Sequence, residues 1–153
     1  MSAATVLVGL EGIEAAVGRH LGYSDWLVVT QDRIDRFAEA TGEYQWIHTD
    51  SVRAASGPFG APIAQGDLTL ALSNYFLPQI VDVQGVSMGI NYGTGKVRFP
   101  APVPAGSRLR AGAELIETAP VAGGIQTTML ITVEIEGQAK PVAVIEALSR
   151  YLA

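Results

Sequence analysis

Apolar and polar positions follow two rhythms in this chain, and the change between them falls just after Pro78. In "QDRIDRFAEATG", residues 31–42, Ile34, Phe37, Ala38 and Thr41 recur at the spacing of one helix face. Thr30, which ends the short β-branched run "WLVVT", can cap that helix, and Gly42 stands just past its C-terminus. "HTDSVRAAS" predicts a second, short helix with Thr49 or Asp50 near its cap, and "GPFGAP" after it is turn chemistry. "IAQGDLTLALSNYFLP" then carries small and apolar residues on nearly every face from Ile63 to Leu77, up to Pro78. A helix of that kind, over 63–77, belongs in the centre of a fold. Residues 1–23 are read as an N-terminal extension or helix.

Beyond Pro78 the period shortens to two. Val133 and Ile135 alternate with Glu134 and Glu136, the signature of a half-buried strand. "VSMGINYGTGKVRF", "SRLRAGAELIETA", "GIQTTMLITVEIE" and "KPVAVIEALSRYLA" read as strands parted by turns such as "GG" and "EG". Helices first and antiparallel strands after them make an α+β architecture, one central helix wrapped by a sheet. At 153 residues the chain has room for one domain with a proper core, spanning 1–153, and not for two ordinary ones.

Composition narrows the function. A net charge of -5 lacks the basic stripe that a nucleic-acid surface requires. Lys96, Arg98, Arg108 and Arg110 do cluster; they are either a solvated sheet face or a landing place for a phosphate-bearing ligand. No apolar run is long enough to span a bilayer and the N-terminus has no basic start or cleavage pattern, so no membrane association and a cytoplasmic location are expected. With no cysteine and two histidines in no HxxxH or HExxH pairing, neither a disulfide nor a metal site is expected, and no cofactor is implied.

One of those histidines closes "TGEYQWIHTD", residues 41–50, five positions after Glu43. The two are either a catalytic pair or ordinary loop residues. Together with "FAEATGEYQWIH", the stretches "GPFGAPIAQGDLTLAL" and "NYGTGKVRFPAPVPAGSRLRA" carry a resemblance over roughly residues 24 to 150. The chain resembles the MaoC-like, R-specific enoyl-CoA hydratases and dehydratases of the hot-dog fold, in the branch that includes nodulation protein N.

The resemblance implies a single hot-dog domain, usually paired as a homodimer, and a hydro-lyase acting on an acyl-CoA or acyl-carrier-protein thioester. It gives His48 and Glu43 the activation of a water molecule that adds to a 2-enoyl thioester. It gives the Gly66 N–H the polarisation of the thioester carbonyl. That assignment is chemically coherent: hydration needs a base for the water, a proton donor for C2 and an oxyanion site for the enolate-like transition state. A helix N-terminus supplies the last of these.

The chain departs from the family pattern at three positions. Glu43 stands for an aspartate, Gln65 for a histidine and Asp67 for a large apolar residue. Asp67 is either a first-turn acid at a solvated helix end or a pocket group for a polar substrate. It also keeps open a hot-dog thioesterase, or a polyketide-type dehydratase or cyclase, while Gln65 keeps open a non-catalytic acyl-binding subunit. Gln45, Gln65, Asp67 and Asn74 are the candidate pocket residues. Trp46 is expected to pack the loop and Tyr92 a strand end, and His20 to be structural or exposed.

Overall fold

The structure is a computed structural model and describes residues 3–153. The first helical rhythm forms as the sequence dictates. The Thr30 hydroxyl accepts the Arg33 N–H at 3.1 Å at the start of α2 (Gln31–Thr41). Ile34 and Ala38 are buried on its inner face, and Gly42 ends it at φ +76°, a left-handed conformation that suits a residue without Cβ.

Two short turns of helix follow, α3 (Trp46–Thr49) and α4 (Ser51–Ala55). The Asp50 carboxylate caps α4 by accepting the Arg53 N–H at 3.0 Å. His48, expected in a loop, thus lies in a helical turn.

The central helix α5 runs Gly66–Ile80, shifted from the expected 63–77. Gln65 is still extended at ψ 138°, and Ile63 makes a bridge with Pro104, so the chain enters the helix three residues late. At the other end Pro78 is tolerated because it lies in the final turn. Its missing N–H leaves unpaired only the carbonyl of Asn74, an exposed residue.

The helix is also not buried all round. Leu68, Leu72, Phe76 and Ile80, at successive i+4 positions, pack inward, while Asp67, Ala71, Asn74 and Tyr75 are exposed. The physical reason is that the sheet of this chain covers one side of the helix.

That sheet has the order β2–β6–β7–β8–β5, with β3 also on β6: β2 is His20–Tyr23, β3 Leu27–Val28, β5 Met88–Arg98, β6 Arg108–Val121, β7 Gly124–Ile135 and β8 Ala143–Leu152. All its pairings are antiparallel. In β7 every second residue from Ile125 to Ile135 is buried, the period-two pattern realised. Register shifts at Leu115/Glu117 in β6 and at Asn91/Gly93 and Thr94/Val97 in β5 are bulges that bend the strands, and the curved sheet wraps α5 in a hot-dog arrangement.

Residues 5–23, expected as an extension or helix, form β1 (Thr5–Val8), α1 (Gly9–Ala15) and β2. β1 pairs in parallel with β4 (Val81–Gln84), and Leu7, Ile13, Ala16 and Leu21 join the same core as α5. Arg110 forms an ion pair of 2.6 Å with Glu134 on β7 and Arg108 one of 2.6 Å with Glu136 just past its end, and both lie over Trp26, which for these two members of the cluster matches a solvated sheet face. Among the described residues no helix is long and apolar enough to cross a membrane.

Candidate active site

The turn α3 exists to hold one side chain. His48 is buried, and its Nδ1 lies 2.7 Å from the carbonyl oxygen of Ile63, on the extended segment that leads into α5. A carbonyl can only accept, so Nδ1 carries the hydrogen, and the tautomer this selects has its free lone pair on Nε2. The backbone reinforces the pairing, since the Ile63 N–H donates to the Ile47 carbonyl at 3.0 Å. Gln31 Nε2 donates to the His48 carbonyl at 2.8 Å, tying the turn to α2 as well.

His48 borders a cavity of about 470 Å³ whose wall also includes Glu43, Gln65, Gly66, Asp67 and Phe99. Residues from three separate stretches thus meet in one space. Glu43 is exposed and, among the described residues, makes no ion pair or hydrogen bond with His48; the fixed partner of the imidazole is the Ile63 carbonyl.

Gly66 is the first residue of α5, and its N–H has no acceptor among the described residues. The Phe99 ring lies directly on it, with an added Cβ placed only 2.9 Å from Cε2. Glycine here lets an aromatic ring close over the helix start while leaving the N–H open to a ligand.

Gln65 is buried, and its Nε2 donates to the Ile34 carbonyl of α2 at 3.1 Å. Its Oε1 is the one buried side-chain polar atom among the described residues without a hydrogen-bond partner. Asp67 is exposed and has no hydrogen-bond partner among the described residues, so it is both a first-turn acid at an open helix end and part of the cavity wall. It also borders a second cavity, of about 310 Å³ between α5 and the sheet, which Asn74 lines.

A third, of about 340 Å³, lies beyond His48, Gly66 and Phe99 among Phe59, Ala64, Pro100 and Val103. Gln45 does not belong with these residues. It precedes α3, its carbonyl accepts from His48 and Thr49, and its side chain is exposed away from all three cavities. The reason is the direction of the α3 turn, which brings His48 inward and leaves Gln45 outside.

The remaining assignments divide. Trp46 packs against the Gly57 turn and lies 4.2 Å from the Arg53 guanidinium, the packing role expected of it. His20 is exposed, its Nδ1 accepting from Gly22 N–H at 3.1 Å and its ring stacked near Tyr23. Tyr92 is not a strand-end packing residue: it sits within β5, 55% exposed, under the Arg150 guanidinium.

Sequence reasoning missed Phe99 and the Ile63 carbonyl. Phe99 lay inside a recognised motif, but no spacing rule points from it to Gly66. A backbone acceptor leaves no trace in side-chain patterns. Among the described residues no three His, Asp or Glu side chains form a group that could hold a metal ion.

The arrangement offers a base, a carboxylate and an open helix N–H around one space. The family described as MaoC like domain matches residues 13–137. The chain is 51% identical over 142 residues to 3-hydroxyacyl-thioester dehydratase Z of Mycobacterium tuberculosis, covering 92% of this chain and 94% of that one. It is 41% identical over 137 residues to nodulation protein N of Rhizobium leguminosarum bv. viciae, covering 88% and 85%. Among solved structures, the monoamine oxidase regulatory protein from Archaeoglobus fulgius superposes with a TM-score of 0.80 at 26% identity, covering 99% of each chain.

Proposed function

This chain belongs to the MaoC-like dehydratase family and is an enzyme of the dehydratase and hydratase type, and from that premise we propose that it catalyses the reversible hydration of a trans-2-enoyl thioester to the (R)-3-hydroxyacyl thioester. The observation that carries this reading is the fixed tautomer of His48. With Nδ1 held by the Ile63 carbonyl, Nε2 is left as a proton acceptor beside the space shared with Glu43 and the Gly66 N–H.

In the hydration direction, a water molecule gives one proton to Nε2 while its oxygen bonds to C3 of the enoyl group. Glu43 accepts the second hydrogen of the water and so orients it. As the C2=C3 electrons move toward the thioester, its carbonyl oxygen gains charge and takes a hydrogen bond from the Gly66 N–H, at the positive end of α5. The imidazolium then returns its proton to C2, so that H and OH have been added across the double bond and no other reactant is consumed. Dehydration is the same path reversed.

The name of the mycobacterial relative supports a thioester as substrate; coenzyme A and an acyl carrier protein are the two carriers proposed. A homodimer is supported by β5, which among the described residues is an edge strand paired only with β8, and along which Met88, Ile90 and Tyr92 are exposed. Such an open apolar edge invites pairing with a second copy.

Loss of enoyl thioester absorbance on adding the purified protein to crotonyl-CoA and longer enoyl-CoA substrates tests the reading. Turnover by the wild type that vanishes in His48→Ala is expected; a wild type inert across chain lengths overturns it. A thioesterase using Asp67 would release free thiol, and the expected result is that none appears.

A further inference from the structure

The cavities around α5 differ in what surrounds them. The one beyond His48, Gly66 and Phe99 is bounded by loop residues such as Phe59 and Pro100, on the outside of the fold. The one beyond Asp67 runs under α5 onto Ile131 and Ile145, side chains 1% and 0% exposed at the centre of the sheet. A thioester has one end that must remain in solvent, its bulky carrier, and one end that can be enclosed, its acyl chain. The outer cavity therefore suits the carrier arm and the inner cleft the acyl chain.

The inner cleft is lined by Leu70 and Leu77 of α5 and by Ile131 and Ile145 of the sheet, together with polar residues such as Asn91 and Thr94, and by one carboxylate, Asp67. Asp67 is the residue common to this cleft and to the cavity of Glu43 and His48. Asn74 stands on the same helix seven residues on, about 10 Å farther along its axis. Both side chains are exposed, and neither has a hydrogen-bond partner among the described residues.

No Lys or Arg lines either cavity to pair with the Asp67 carboxylate, and Glu43 and the partnerless Gln65 Oε1 border the same cavity as further acceptors beside the Gly66 N–H. An alkyl chain passing this point would strip water from a carboxylate and return nothing. A second carboxylate on the substrate would be repelled. A hydroxyl group would replace the lost water with a charge-assisted hydrogen bond.

We propose that the acyl chain enters the cleft under α5 past Asp67 and carries, beyond C3, a hydroxyl group that donates to the Asp67 carboxylate, so that the substrates are short, hydroxylated acyl thioesters. This rests on the hydratase reading above for the position of the reacting carbons. The cleft, at about 310 Å³, is at the lower end of ligand pockets, which agrees with a short chain.

Calorimetric titration with saturated thioesters, which cannot be hydrated, tests the proposal separately from turnover. Hexanoyl-CoA is compared with 4-, 5- and 6-hydroxyhexanoyl-CoA on the wild type, Asp67→Asn and Asp67→Leu. At least one hydroxylated isomer binds the wild type about tenfold more tightly than hexanoyl-CoA, as expected of one hydrogen bond to a partly solvated carboxylate. The preference shrinks in Asp67→Asn and disappears in Asp67→Leu.

Equal binding of all four thioesters to the wild type overturns the proposal, as does failure of all four to bind or a preference that survives in Asp67→Leu. A wild type that shows the preference yet hydrates no enoyl thioester retains the acyl site and overturns only the hydratase reading.

Discussion

The imidazole of His48 is hydrogen-bonded through Nδ1 to the backbone carbonyl of Ile63, at 2.7 Å, and not to the carboxylate of Glu43. The tautomer of the proposed base is therefore set by a main-chain atom that does not titrate and cannot be mutated away. In the proposed reaction Glu43 is thereby left free to act on the water rather than on the ring.

His48→Gln separates the two functions of the imidazole. The glutamine amide can still donate toward Ile63 but is no base, so kcat for crotonyl-CoA hydration should fall by about 10² to 10⁴ while KM changes little. Steady-state kinetics check this, and a kcat within threefold of wild type would remove His48 from the proton transfer.

Gly66 and Phe99 should behave as a coupled pair. An alanine at 66 keeps the N–H but puts Cβ 2.9 Å from the ring, and displacing that ring should cost about 1 kcal/mol of stability. Phe99→Leu makes room, so the double variant should be less destabilised than the sum of the singles, in a cycle measured by urea unfolding. Strict additivity would contradict the contact.

Gln65 holds one hydrogen bond and one orphaned acceptor, and the second outweighs the first. Gln65→Leu removes an unpaired buried oxygen, worth about 1–3 kcal/mol, together with a neutral bond worth about 1. A gain of about 1 kcal/mol in unfolding free energy is expected, and a loss of that size would show that Oε1 has a partner in solution.

Tyr151 gives the alkaline limit a definite sign. Burial raises its hydroxyl above the ordinary value of 10.0, so the folded protein keeps the neutral form while the unfolded chain ionises first. The associated stability is fully present below pH 10 and is lost as pH rises from there through the folded value. The drop in Tm between pH 9 and pH 11 should be smaller in Tyr151→Phe than in the wild type; equal drops would assign alkaline unfolding to other groups.

Local chemistry was legible in the sequence where neighbours along the chain decide the outcome. Thr30 and Gly42 mark the two ends of α2 because capping acts within one turn. The strand pattern of β7 is readable because alternation is a property of the strand itself. β1, β2 and β4 were not anticipated: each is four residues long, and β1 and β4 are strands by virtue of pairing across most of the helical half of the chain. The reading of α5 as apolar on every side failed for a related reason. Composition states what a helix surface is made of, and only the extent of the sheet states how much of it is covered.

The site divides in the same way. The sequence by itself determined the residue types of the site, a histidine and a carboxylate after a helix and a glycine at the start of the next, through motifs whose members lie close together in the chain. Tertiary structure alone decided that they share one cavity, that a backbone carbonyl rather than Glu43 orients His48, that Gln45 stays outside, and that Asp67 joins two cavities. Those outcomes depend on how the Ile63 segment and Phe99, just past β5, pack at the start of α5. Contacts of that kind are fixed by packing between distant stretches, which no local pattern encodes.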